Sequence, residues 1–369
     1  MKRSILRWGV SVASVLSCVF AIVGNASAQS ADVVWKETVD KAKSQRLVII
    51  NQGNDAFDRV IEAFTKKFGI EVDASVGRPS TVVHRVKTEQ DNGQYVSDIW
   101  WAITSNMVNV AAPAGMLAPF EDYLILPEVK DPSNWRHPDY MYGDKTHHVF
   151  TYIHEVNTSA FRNSAVLPDV KITSIDDLMN PKLKGKIAVR DSSDPNAGSF
   201  SLSPIYRAKG PEFLRKFLQD MNPKVFANPQ QLDTALFRGG VAVATGIQYS
   251  SYADCKQAGG CQTISEIPGM YYISSRGLSV FKNPPHPEAV KVFLNWFLSK
   301  EGQELWVQEW AKANITGAVS HRKDVAPAKG HERFQPDFSK ADQYVWTSNA
   351  EGSAEINNVV KIFRDVIGN

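Results

Sequence analysis

The sequence predicts an α/β protein organised as two lobes. Short apolar runs alternate with stretches whose apolar residues recur at helical spacing, the pattern of mainly parallel sheets. The alternation appears once in the first third of the chain and again after residue 174. The 369-residue chain, less a 28-residue leader, leaves 341 residues, more than one hydrophobic core usually organises.

The leader comes first. Lys2, Arg3 and Arg7 form a basic start, an apolar run extends from Gly9 to Gly24, and Ala26-Ser27-Ala28 supplies the small residues read by a signal peptidase. Cleavage is expected after Ala28, releasing the chain into the periplasm. The run is shorter than the ~20 residues that a spanning helix needs, and no later segment is long and apolar enough to span. Cys18 lies inside this run, which continues through Val19-Phe20-Ala21-Ile22-Val23, whereas a lipid-modified cysteine would end it. The leader carries three of the 41 basic residues and none of the 39 acids, so the exported chain has a net charge of −1. Without a basic excess or a Lys/Arg run, nucleic acid is excluded as a partner.

The elements follow in order. Leu47-Val48-Ile49-Ile50 reads as a buried strand. Phe57, Val60, Ile61, Phe64 and Phe68 recur at helical spacing, and Gly69 stops that helix. Ile70-Glu71-Val72 is the next strand; Gly77-Arg78-Pro79-Ser80-Thr81 opens a helix running toward Asn92-Gly93, and Asp98-Ile99-Trp100-Trp101 forms a third strand. Ligands of such a βαβαβ unit sit at the carboxyl ends of its strands. The second unit has a short helix over Ser174 to Met179, a strand over Lys186 to Arg190, and a helix from Ser199 onward. Helices around Pro211 to Met221 and Pro229 to Phe237 then lead to the strand Val241-Ala242-Val243-Ala244. The last third carries helices over Pro287 to Leu298, with Pro in the first turn, and over Glu301 to Ala313. The adjacent pair His147-His148 falls on a predicted strand, where alternation separates the rings into structural roles.

Two cysteines remain after export, in Cys255-Lys256-Gln257-Ala258-Gly259-Gly260-Cys261. In an oxidising compartment they are expected to form a disulfide that pins a surface loop and contributes about 2 kcal/mol. A metal site lacks the further ligands that zinc requires.

Several segments stand in an order that resembles the extracellular solute-binding proteins of ABC importers, in the cluster serving ferric ion, polyamines, thiamine, phosphonates and sugar phosphates. They are Phe64 to Val72 (FTKKFGIEV), Glu89 to Ile99, Asp177-Leu178 with Pro181 to Ile187 (PKLKGKI), and Pro284 to Gln303 (PPHPEAVKVFLNWFLSKEGQ). The resemblance spans nearly all of the exported chain. It implies a two-lobed periplasmic-binding-protein fold of type II with a hinged cleft. Residues 29–152 and 271–369 would form a discontinuous first lobe and residues 153–270 the second, with hinge crossings near Val149 to Val156 and Glu266 to Tyr271. It also implies a monomer that captures a small molecule by lobe closure and delivers it to the permease and ATPase subunits at the inner membrane, with no cofactor.

Candidate ligand residues lie at the predicted cleft. Arg78, Ser80 and Thr81 combine a guanidinium, hydroxyls and a helix amino end suited to an anion. A second helix amino end, Asn196-Ala197-Gly198-Ser199-Phe200-Ser201, offers Ser199 and Ser201. Gln52 and Asn54 follow the first strand, Trp100 and Trp101 end the third, Tyr152 lies on the first crossing, and Tyr249 follows the strand after Val241. Alternation sends the two tryptophans to opposite faces, so at most one reaches the cleft.

Iron-binding relatives carry two consecutive tyrosines where this chain has Tyr249-Ser250, and a histidine where it has Asn51-Gln52-Gly53-Asn54. Tyr252, Tyr271 and Tyr272 leave iron open. Polyamine or thiamine would need carboxylates facing an aromatic box, and these positions offer few. Arg78 tips the expectation toward an organic phosphate, phosphonate or carboxylate. A secreted hydrolase is the alternative of another class, but no Gly-x-Ser-x-Gly elbow, His-Glu-x-x-His pair or Gly-x-Gly-x-x-Gly loop is present. A binding protein feeding a chemoreceptor or sensor kinase would use the same cleft.

Overall fold

The computed structural model describes residues 31–195, 198–314 and 316–368. The expected leader and its cleavage point lie outside these residues. A helix over residues 31–42 (α1) precedes the first βαβαβ unit. That unit comprises β1 (Arg46–Asn51), α2 (Asp55–Phe68), β2 (Glu71–Val76), α3 (Pro79–Asp91) and β3 (Ile99–Ile103). Helix α2 forms because Phe57, Val60 and Phe64 bury one stripe while Asp55 and Lys66 favour its charged ends; Gly69, in the left-handed region, stops it. A single helical turn, α4 (Pro127–Lys130), lies in the long connection to β4 (Val149–Thr158).

The first sheet has the order β11-β10-β3-β1-β2, with β4 pairing the other edge of β10 (Tyr271–Val280) and β11 spanning Val345–Trp346. Strands β1, β2 and β3 are parallel, whereas β10 runs antiparallel to both β3 and β4. Helices α2, α8 (Pro287–Leu298) and α9 (Lys300–Ala313) bury Phe57, Phe64, Phe293, Phe297 and Trp306 against one face; Val82 and Val86 of α3 join a smaller core on the other.

The second sheet has the order β7-β6-β8-β5-β9, made of β5 (Ala160–Asn163), β6 (Ile187–Arg190), β7 (Lys224–Phe226), β8 (Val243–Thr245) and β9 (Ile264–Glu266). Three helices belong to this region: α5 (Ser203–Met221), α6 (Pro229–Phe237) and α7 (Tyr249–Gln257). Helix α5 breaks at Gly210, just before Pro211, because proline disfavours helical backbone in its predecessor. The chain passes from β4 to β5 through Ser159 alone and returns from β9 to β10 over residues 267–270. Two long antiparallel strands, β4 and β10, therefore connect the two sheets.

Three expectations change in detail. His147-His148 lies on a turn before β4, with His147 in the left-handed region. Its Nδ1 lies 2.9 Å from Glu121 Oε1 and its ring stacks on Tyr142, while His148 is held by Asp144, so both remain structural. The C-terminal helix α10 (Ala350–Ile367), expected with the first lobe, instead buries Val359, Ile362 and Phe363 against α5 in the second core. Arg207 of α5 reinforces this packing through Glu351 and Glu355. The helix from Ser199 begins as a separate 3-10 turn, Ser199–Ser201.

Candidate ligand cleft

In sheet order, the carboxyl ends of β2, β1 and β3 present Arg78, Gln52 and Ile103 along one edge of the first sheet. Gln52 is fixed there because its Oε1 accepts from the Ile103 amide at 3.0 Å. Asn54 Oδ1 caps α2 by accepting from Ala56 N at 2.8 Å, and its Nδ2 donates to Asn314 Oδ1 at the end of α9, 3.2 Å away. Arg276 of β10 pairs with Ile103 across the sheet and continues this edge. On the second sheet, Arg190 ends β6, Gly246 to Tyr249 follow β8, and Glu266 ends β9. Short crossings join the two edges, and because ligands of such sheets sit beyond the carboxyl ends of the strands, these strand ends and helix starts are the candidate lining of a cleft.

One face of the β4–β10 ribbon, which joins the two sheets, is the candidate floor. Glu155 pairs with Ser274 and Asn157 with Tyr272, and directly opposed residues share a face. Asn157 Nδ2 donates to Ser274 Oγ at 3.1 Å. Arg276 lies two residues along the same strand, with its guanidinium 4.4 Å from the Trp310 ring centroid. Phe200 of the second lobe lies against Tyr272 at 5.0 Å. Burial raises the Glu155 carboxyl pKa, while attraction from Arg276 and hydrogen bonds from Thr316 and Asn157 oppose that shift.

Arg190 is held by close backbone packing. A Cβ on Gly198 would lie 2.4 Å from Arg190 Cγ, and one on Gly246 would lie 2.4 Å from Arg190 Cβ. Both glycines have positive φ, so the two loops close over the arginine stem where another side chain would collide. The Nε atoms of Arg190 and Arg276 are buried without a hydrogen-bond partner among the described residues. Asp233 on α6 feels Arg190: burial raises its pKa, and a Ser251 hydrogen bond and the arginine charge oppose that rise.

A family model described as bacterial extracellular solute-binding protein matches residues 59–339. The chain belongs to this family. A relative from Synechocystis, "Iron uptake protein A1", is 22% identical over 297 residues, covering 76% of this chain and 77% of that protein. Among solved structures, the Trichodesmium protein IdiA (FutA) in complex with iron and citrate superposes with a TM-score of 0.63 at 17% identity, covering 86% of this chain and 99% of that one. AfuA from Actinobacillus pleuropneumoniae, with fructose-6-phosphate bound, gives 0.55 at 19% identity, with coverages of 87% and 98%. These likenesses establish the two-lobed type II binding-protein fold.

Within this solute-binding protein, the sequence-derived candidates divide sharply. Trp100 and Trp101 are both fully buried, on opposite faces of β3, so neither reaches the cleft. Trp101 Nε1 donates to Tyr152 Oη at 2.6 Å, and Tyr152 is also fully buried, so its expected ligand role gives way to a core hydrogen bond. Ser201 is likewise buried, 3.5 Å from Ser192 Oγ, and supports the loop from beneath. Ser199 opens its 3-10 turn, but its side chain and Asn196-Ala197 lie outside the described residues. Arg78, Ser80 and Thr81 are exposed at the start of α3, and Arg78 caps that helix without a side-chain hydrogen bond. Gln52, Asn54 and Tyr249 are half-buried. Cys255 and Cys261 form the expected disulfide, with Cα atoms 5.7 Å apart.

Sequence reasoning passed over Glu155, Arg190, Arg276 and Trp310. The available signal was a formal charge inside a long strand with no other acid or strong base: Glu155 in VFTYIHEVNT and Arg276 in YYISSRGLSV. A charged group within a buried strand requires a partner, a solvated cavity or a ligand.

Proposed function

We propose that this protein is the periplasmic capture component of an ABC importer and closes its lobes around a small organic anion carrying a phosphate, phosphonate or carboxylate. The observation supporting this reading is the set of guanidiniums at the cleft edge. Arg78 caps α3 just after β2, Arg190 ends β6 and Arg276 lies on β10, and none forms an ion pair among the described residues. A guanidinium presents planar donors that match a phosphate or carboxylate, and the low-dielectric floor strengthens that contact. Gln52, Asn54, Asn157 and Ser274 add neutral donors and acceptors for the body of the ligand. Closure shifts the protein toward the form read by the permease, because the anion meets both walls only when the lobes are together.

Ferric ion delivered with an organic anion is the second reading. It is favoured by the similar iron and citrate complex and by Tyr249 at the start of α7. A thermal-shift screen separates the two, using phosphonates, sugar phosphates, carboxylates, polyamines, and Fe(III) with and without citrate. Stabilisation by a metal-free organic anion supports the first reading. Stabilisation only in the Fe(III) arms supports the second, and a response to polyamines alone overturns both.

A further inference from the structure

Arg333 sits on a 3-10 turn (Glu332–Phe334) whose Phe334 is buried in the first core, so its base belongs to the first lobe. Its guanidinium reaches two elements of the second. Nη2 donates to Glu266 Oε2 at 2.8 Å, Nη1 donates to Glu266 Oε1, and Nη1 also donates to the Tyr249 hydroxyl at 3.2 Å. The guanidinium carbon lies 4.5 Å from the Tyr249 ring centroid, and that ring makes an edge contact with Phe334 at 5.1 Å. On its other side, Tyr249 meets Phe161 of β5 and Tyr252 of α7, in a separate core on the second sheet. Glu266 ends β9 at the return crossing, whereas Tyr249 starts α7 after β8. One side chain of the first lobe thus holds a strand end and a helix start of the second.

We infer that Arg333 is a positioning residue for lobe closure, gripping Glu266 and Tyr249 across the cleft and fixing the Tyr249 ring at its edge. The inference rests on the reading of a protein whose lobes close on a solute. Opening separates the guanidinium from both partners at once, so the two-pronged contact with Glu266 and the hydroxyl bond all favour the shut arrangement. Lysine cannot reproduce this arrangement, because its single ammonium lacks the planar fork. The Arg333–Glu266 pair is partly exposed, which makes its contribution sensitive to salt.

The test measures closure without any solute. Spin labels on cysteines introduced at Glu62 in α2 and Lys216 in α5, with the native disulfide left oxidised, report the inter-lobe distance distribution by pulsed dipolar spectroscopy. Arg333→Ala is expected to lower the closed-to-open ratio roughly three- to fivefold. Arg333→Lys should recover part of that loss, and about 1 M NaCl should move the parent protein in the same direction. Should Arg333→Ala lose its native circular dichroism, Glu266→Gln breaks the same pair from the other side. An unchanged distribution in a folded Arg333→Ala or Glu266→Gln protein overturns the inference. The parent protein's thermal-shift screen tests solute capture separately, so a failure there is distinguishable from a failure of the latch.

Discussion

At the scale of the residue, the cleft is decided by which polar side chains are left without partners. Arg78 is exposed and carries no internal load, so Arg78→Ala is expected to abolish the anion-dependent thermal shift while leaving unliganded stability nearly unchanged. An undiminished shift in that variant removes Arg78 from the site. Tyr152 presents the opposite case. Its hydroxyl accepts from the buried Trp101 indole, and Tyr152→Phe leaves that donor unsatisfied at a cost of about 1–3 kcal/mol. Urea unfolding should show the loss, with the affinity for any solute found in the screen unchanged; a weakened affinity at full stability would return Tyr152 to the site. The sequence could not separate these residues, because each was only a polar side chain placed near the expected cleft, Arg78 at a helix start and Tyr152 on a hinge crossing. Burial assigned their roles, and burial depends on packing partners more than 100 residues away in the chain.

At the scale of the element, the β4–β10 ribbon serves two environments. One face carries Glu155, Asn157 and Arg276; the other buries His154, whose Nδ1 lies 2.9 Å from Ser275 Oγ and whose ring lies 4.7 Å from that of His321. Burial pushes the His154 pKa down to about 4, opposed by the Tyr140 carbonyl and aided by the charge of His137. His321 is also pushed well down, first by burial and then by His154. Both rings stay neutral in the native protein while those of the unfolded chain take up protons. Stability is therefore complete above about pH 6.5 and falls as the pH drops from there toward about 4. Denaturant midpoints across that range should show the decline, and His154→Gln should make it shallower, with His321 supplying the rest; a flat profile in the parent protein would refute this assignment. The disulfide is a smaller device: reduction should cost about 2 kcal/mol, read from thermal unfolding, and leave solute capture intact.

At the scale of the whole molecule, binding and stability are linked. A solute held only by the native protein at 100 times its dissociation constant adds about 2.7 kcal/mol, and the melting temperature should rise with solute concentration. Calorimetric titration is expected to give one site per chain, and two equivalent sites would exclude a single cleft. The first βαβαβ unit, β6, β8 and the helices around them were legible because their signals are local, whereas the short strands β5, β7, β9 and β11 were not. The stripe of α2, the stop at Gly69, the Pro79 and Pro287 starts and the apolar run of β1 each follow from backbone preference and amphipathic spacing. The lodging of α10 was not legible, since an amphipathic helix advertises an apolar stripe without naming the core that will receive it.

Sequence alone thus determined the alternation of strands and helices, the pairing of Cys255 with Cys261, and the placing of Arg78 at a helix start beyond a strand, because each depends on neighbours along the chain. Only the tertiary structure decided that Trp100, Trp101, Tyr152 and Ser201 belong to the interior. It also brought Glu155 and Arg276 together on one ribbon face and set Arg333 against Tyr249 and Glu266. The physical reason is that desolvation and charge pairing act through space, and distant segments share that space only once both sheets have formed.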